Sequence, residues 1–364
     1  MKQISTSFVA IVIGIVVLGF LAGVVGELWL NSFLLPDPYL NFKNYSDLTK
    51  RINDLVSGQS STPSGYSGAV SNAAKNVLPA MARIYRNKKF ATSAGGLLPS
   101  DLLGQGLVIT SDGWIVTTSR AVSSSAVSLY AIALNERSPL PVQKIVFDAV
   151  SGLVFIKIDA SNLSVAEFIL KNNLTSAEPV YLFDNQNGLV VDYVENNNYG
   201  RINVDADLLH TSEKFYKFIQ LQNSLSNNLL GGPLITANGR VAGVLTASDL
   251  AIPVDYMTSL MKAIVKGEKW TRPYLGLKFY DLTEISNPNV SDYRGALIAK
   301  AGVAFDSPAK GIILPDDIIV KVESDDLGVK KNLSELISQY QPGNTLKFTL
   351  KRQGTEMTVD VKLK

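Results

Sequence analysis

Apolar residues run without a charge from Phe8 to Gly26, FVAIVIGIVVLGFLAGVVG. At about 1.5 Å of rise per helical residue, that stretch is roughly as long as a bilayer's hydrocarbon core is thick, and it predicts a transmembrane helix. The competing reading is a cleaved signal peptide, but the run exceeds a usual signal core and no clear small-x-small site follows it before Glu27. Lys2 and the α-amino group carry the only positive charges ahead of it, which predicts a cytoplasmic N-terminus and a body outside. Trp29 and Tyr39 suit the outer interface. After Pro36 and Pro38, apolar residues at Tyr45, Leu48, Ile52 and Leu55 fall on one helical stripe. Such a short helix either seeds an oligomer contact or covers the next domain, since two heptads are too few for a stable coiled coil. Gly58 to Gly68, GQSSTPSGYSG, reads as a flexible tether.

From Ala69 the period changes. Short β-branched runs are broken by two-residue turns, as in LVITSDGWIVTTS around Asp112-Gly113 and PLITANGRVAGVL around Asn238-Gly239, and both predict tight hairpins. Helical spacing is confined to Ala73 to Tyr85 and Met257 to Val265. This pattern predicts a barrel or sandwich over 69–266. In 267–364 the strand runs Ile318 to Val322 and Leu346 to Leu350 flank one amphipathic helix, Lys331 to Tyr340, which predicts a small α+β domain. The organisation expected is thus 1–40 anchor and flank, 41–68 helix and linker, 69–266 mainly β, and 267–364 α+β.

Composition narrows the chemistry. Of the 364 residues 46% are apolar and 18% charged, ample for folded cores. Lys and Arg number 34 against 32 acidic residues, a net +2, so the basic surplus that drives nucleic-acid binding is absent. There are no cysteines and one histidine, His210, which removes thiolate chemistry and nearly every imidazole-based metal site. No cofactor and no metal are expected.

Four segments then fall in order. Gly104, Gly106 and Asp112-Gly113 precede Thr117-Thr118-Ser119-Arg120; SGLVFIKI covers Ser151 to Ile158; Phe218-Ile219-Gln220 precedes Asn228-Leu229-Leu230-Gly231-Gly232-Pro233-Leu234; and Ala251-Ile252-Pro253 closes the series. Together they resemble the HtrA (Deg) family of trypsin-like serine proteases, a chymotrypsin-like double β-barrel followed by a PDZ domain. In the family those segments carry the catalytic histidine, aspartate and serine, and the resemblance puts Arg120, Gly152 and Leu230 at the three positions. A triad needs a hydroxyl nucleophile, an imidazole base and a carboxylate. Leu230 has no nucleophilic atom, Arg120 stays protonated, and Gly152 has no side chain. The expectation is a chain that is not an enzyme, a pseudoprotease with no catalytic residues. The alternative is an active HtrA-like serine endopeptidase with a non-standard arrangement.

Substitutes are weak. His210 with Ser224 or Ser226 would place the base in DADLLHTSEKFYKF, which reads as a polar loop or hairpin end, and a lone surface histidine is the better account. Lys157 also stands in active relatives without a catalytic role, and Asp148 reads as a turn residue that satisfies local backbone donors. At Asn228, Leu229 and Leu230 a vestigial oxyanion hole is conceivable, holding a carboxylate or carbonyl beside Arg120. The alternative is that Leu229 and Leu230 fill the cleft.

Tyr274-Leu275-Gly276-Leu277 resembles the carboxylate-binding loop of a PDZ domain, where an extended peptide adds a strand and its terminal carboxylate meets consecutive backbone N–H groups. Leu333, Leu336 and Ile337 line either the peptide pocket or the core. At Leu314-Pro315-Asp316-Asp317 an aspartate takes a glycine turn position. The expected partners are peptide C-termini or unfolded polypeptide, the membrane through the N-terminal helix, and either further copies in a trimer or an active paralogue in a hetero-oligomer. The expected place is the cell membrane, single-pass, with barrel and PDZ domain on the periplasmic or extracellular side. The expected role is scaffold, regulator or chaperone-like partner in envelope protein quality control.

Overall fold

The computed structural model describes residues 66–87, 97–134, 139–184, 186–265, 271–285 and 294–364. The expected membrane helix, the Tyr45 to Leu55 stripe and most of the Gly/Ser tether lie outside these residues. Among the described residues no helix is long and apolar enough to cross a membrane.

Helix α1 (Tyr66–Val77) opens the described chain and ends sooner than its apolar spacing predicts. Pro79 sits in a 3-10 turn over Leu78–Ala80. Lacking an N–H, proline cannot continue the helix ladder there. Met81 to Tyr85, predicted as helix, belongs instead to strand β1 (Met81–Arg86), paired on both edges. Strands β2 (Leu102–Val108), β3 (Trp114–Thr118), β4 (Tyr130–Leu134), β5 (Leu140–Phe147) and β6 (Leu153–Ile158) follow, and they close as β1-β2-β3-β6-β5-β4 into a six-stranded barrel. The Asp112-Gly113 hairpin is present, with Leu107 opposite Val116 and Gly113 at φ +104°.

The second barrel uses β8 (Pro179–Phe183), β9 (Leu189–Gly200), β11 (Lys217–Leu221), β12 (Pro233–Thr236), β13 (Arg240–Ala247) and β14 (Leu250–Pro253). Their order β12-β8-β9-β11-β14-β13 is closed by the β12–β13 hairpin at Asn238-Gly239, and short β7 (Glu167–Phe168) lies parallel to β13. Helix α2 (Thr258–Val265) ends this part, as its spacing predicts. The last sheet holds β15 (Leu277–Asp281), β16 (Ala296–Val303), β17 (Ile318–Val322), β18 (Asp325–Asp326), β19 (Thr345–Arg352) and β20 (Thr355–Lys362), with helix α3 (Leu333–Ile337). Asp316 has φ +66°, the left-handed turn its sequence context predicts.

One strand crosses between these parts. β10 (Leu209–Thr211) belongs in sequence to the second barrel but pairs antiparallel with β15 at the edge of the last sheet. Within the stretch expected to be a polar loop or hairpin end, Leu209–Thr211 is therefore a strand. LHT lacks the β-branched run that would announce one, and it is extended because β15 supplies its partner.

Candidate functional site

Two places concentrate polar chemistry: the seam between the barrels and the groove beside β15. At the seam the Leu230 carbonyl accepts from Gln105 N at 2.8 Å, and Gln105 Nε2 reaches the Phe183 carbonyl at 2.9 Å. Gly231 and Gly232 are needed for this approach. A Cβ on Gly231 would stand 2.1 Å from the Gln105 carbonyl, and one on Gly232 2.5 Å from Gln105 Oε1. Ser119 N donates to the Gly152 carbonyl at 3.0 Å, and a Cβ on Gly152 would face Ile252 of β14 at 3.8 Å. These contacts gather Arg120, Gly152 and Leu230 along one seam, with Arg120 exposed next to Ser119.

The Asn228 to Leu230 region is a tight turn. Leu230 N donates to the Asn227 carbonyl at 3.2 Å, so this backbone donor of the expected oxyanion-hole region is engaged within its own loop. Leu229 is buried in the second barrel's core with Leu230 packed against it, while Asn228 is exposed. Thr118 Oγ1 is buried at the end of β3 without a partner among the described residues.

The substitutes for a triad are occupied elsewhere. Lys157 holds the Asp112 turn, with its Nζ 3.4 Å from Asp112 Oδ2. Asp148 does accept local donors, Val150 N at 3.3 Å and Ser151 Oγ at 2.5 Å, and it also pairs with Arg272. His210 is not a surface histidine. It is buried, stacked on Tyr216 at 3.6 Å, with Nε2 2.6 Å from Glu284 Oε2. Glu284 also pairs with Lys217. Burial raises the Glu284 carboxyl, but the bonds from His210 and Lys217 outweigh it and hold the group below the ordinary glutamate range.

The groove lies between β15 and α3. The loop before it is Tyr274-Leu275-Gly276-Leu277, with Gly276 at φ +70° and a Cβ there 2.8 Å from Tyr274 Oη. Its backbone N–H groups point at oxygen acceptors: Leu275 N and Gly276 N at Glu213 Oε1, 3.1 and 2.7 Å away. Leu277 N donates to Ser212 Oγ at 2.9 Å. The Tyr274 hydroxyl donates to Asp306 at 2.7 Å, and that bond, with some burial, pushes the phenol up to about 12. Leu333, Leu336 and Ile337 are buried core residues of this domain, and Ser334 reaches the groove instead, bonding the Thr211 carbonyl at 2.9 Å. Glu213, Ser212 and Ser334 carry no signal in the sequence, because only the pairing of β10 with β15 brings them to the loop.

Residues 273–363 match the family model described as a PDZ domain. Over 273 residues the chain is 26% identical to a probable periplasmic serine endoprotease DegP-like of Hahella chejuensis, 71% of this chain against 56% of that one. It is 25% identical over 271 residues to a putative serine protease HhoB of Synechocystis, 68% of this chain against 63% of the other. The chain therefore spans little more than half the length of these curated relatives. Among solved structures, the HtrA-type protease AlgW with a tripeptide superposes with a TM-score of 0.58 at 19% identity, over 80% of this chain and 96% of that one, which shows the fold. These relatives correct one expectation. The reading of the chain as not an enzyme is overturned, because the curated relatives it matches are named as a serine endoprotease and a serine protease.

Proposed function

We propose, from the premise that the chain belongs to the HtrA/DegP-like family of trypsin-like serine proteases with a PDZ domain, that it binds peptide C-termini or unfolded polypeptide in the β15 groove and serves protein quality control in the cell envelope. The observation that carries this is the cluster of three backbone N–H groups, at Leu275, Gly276 and Leu277, converging on oxygen acceptors at the end of a strand that takes a partner strand. That is the chemistry of strand addition with carboxylate capture. The apolar stretch from Phe8 to Gly26 and the periplasmic relatives support a membrane-anchored chain with its barrels and PDZ domain outside the cytoplasm. Within that setting the chain acts as scaffold, regulator or chaperone-like partner, as a trimer or with a paralogue. The relatives' names favour a second reading, serine endopeptidase activity at the barrel seam.

Titrating the full chain in detergent with a peptide library presented with free or amidated C-termini tests the first reading, and binding that ignores the carboxylate would sink it. Labelled casein incubated with the same protein tests the second. Turnover that scales with concentration and survives repurification supports hydrolysis.

A further inference from the structure

The loop that would receive a ligand's carboxylate is already satisfied by this chain. Glu213 Oε1 takes two of its N–H groups, and Ser212 Oγ takes the third. The Ser212 hydroxyl donates to Glu213 Oε1 at 2.7 Å, so the two acceptors form one bridged pair where a terminal carboxylate's oxygens would sit. Behind them the backbone continues the pairing: Ser212 N donates to the Leu277 carbonyl at 2.9 Å, and Thr211, His210 and Leu209 lie opposite Lys278, Phe279 and Tyr280. The segment runs antiparallel to β15, with its downstream end at the loop, which is the direction a bound chain end must take. Across the groove Ser334 of α3 bonds the Thr211 carbonyl, and the His210 ring lies buried 5.9 Å from that of Phe279. The strand pairing with β15 and the three loop donors that a C-terminal peptide would use are taken by residues 209–213.

We propose that residues 209–213 are an internal ligand of the PDZ groove, with Glu213 and Ser212 replacing the carboxylate, and that a peptide with a free carboxyl end binds by displacing them. This rests on the peptide-binding reading above and adds its regulation. A tethered segment competes at an effective concentration far above that of a free peptide, and the apparent affinity of an external ligand falls in proportion to the fraction of open grooves. A chain end is a suited competitor, since its carboxylate can turn two oxygens to the same donors, where Glu213 offers Oε1 alone. Displacement reaches the second barrel as well, because His210 and Lys217, the first residue of β11, share the Glu284 carboxylate.

Hydrogen exchange on the full chain in detergent micelles tests the closure, and a labelled peptide copying residues 205–212 with a free carboxyl end tests the displacement. The 275–277 amides are expected to exchange as slowly as those of β15. Glu213→Ala is expected to speed Leu275 and Gly276 about tenfold or more while β19 and β20 keep their protection, and to bind the peptide about tenfold more tightly than the unaltered chain, the amidated peptide being inert to both. Fast exchange at 275–277 in the unaltered chain overturns the internal ligand. So does a folded Glu213→Ala chain with unchanged exchange and affinity. The unaltered chain is informative by itself should the variant not fold. Protection that Glu213→Ala abolishes, with neither chain binding the peptide, upholds the closure but overturns displacement and the peptide-binding function beneath it.

Discussion

At the residue scale, two glycines with similar backbones answer different constraints. Gly231 (φ +81°) sits where a Cβ would collide with the Gln105 carbonyl at 2.1 Å, so the second barrel can approach β2 only without a side chain. Gly152 (φ +78°) has ordinary contact distance around it. Gly231→Ala is therefore expected to destabilise by about 3 kcal/mol or more, and Gly152→Ala by about 1 kcal/mol, in parallel denaturant melts. Asp316, held at φ +66°, gives the opposite sign: Asp316→Gly relieves strain and is expected to gain up to about 1 kcal/mol. Asp255 supplies a pH dependence. Burial raises its carboxyl from 3.8 to about 6, although it accepts a bond from Lys171 N at 3.0 Å. Its folded value lies above the unfolded one, so its stability contribution is full below about pH 3.8 and is lost as the pH rises through about 6. At about 1.36 kcal/mol per unit, Asp255→Asn should flatten a loss of roughly 3 kcal/mol across that window, read as Tm against pH. A Tm profile unchanged by the substitution would contradict the assignment.

At the element scale, hairpins and helices were readable to different depths. The Asp112-Gly113 and Asn238-Gly239 turns are local chemistry, and both hairpins stand where the sequence puts them. Helix α3 is shorter than its apolar spacing at both ends, and its start is set by a cap. Asn332 Oδ1 accepts from Glu335 N at 3.0 Å while Glu335 Oε2 accepts from Asn332 N at 3.3 Å. Asn332→Ala should cost about 1 kcal/mol, and more if the loosened Glu335 also leaves Lys171, which a denaturant melt of the variant measures. Strand β10 was illegible. Nothing in Leu209–Thr211 favours a strand over a loop until an unpaired edge of β15 lies beside it.

At the scale of the whole molecule, the barrels and the PDZ domain are joined by buried ionic contacts. Lys171 of the second barrel pairs with Glu335 of α3, Tyr256 Oη donates to the same carboxylate at 2.9 Å, and Lys217 pairs with Glu284. Arg272, ahead of β15, pairs with Asp148 and lies 4.8 Å over the Phe215 ring. Lys171→Met leaves the Glu335 carboxylate buried and uncompensated and should cost about 3–5 kcal/mol, whereas replacing both members should cost far less. A double-mutant cycle measures the difference, and equal losses in single and double variants would show no coupling. Glu284 adds acid sensitivity: its carboxyl is held low in the folded chain, so its contribution is present above the ordinary glutamate range and is lost as the pH falls through the lowered value.

The sequence by itself determined what depends on neighbours along the chain: the two tight turns, the period-two runs that become strands, and the left-handed position at Asp316. It also marked the loop Tyr274-Leu275-Gly276-Leu277 leading into β15, which is a local backbone device. Only the tertiary structure decided what sits in that loop. Glu213 and Leu275 are brought together by strand pairing between two domains, and His210 becomes a buried partner of Glu284 for the same reason. Contacts of that kind depend on which edges and charges the fold leaves to be satisfied, and residue spacing along one chain does not encode them.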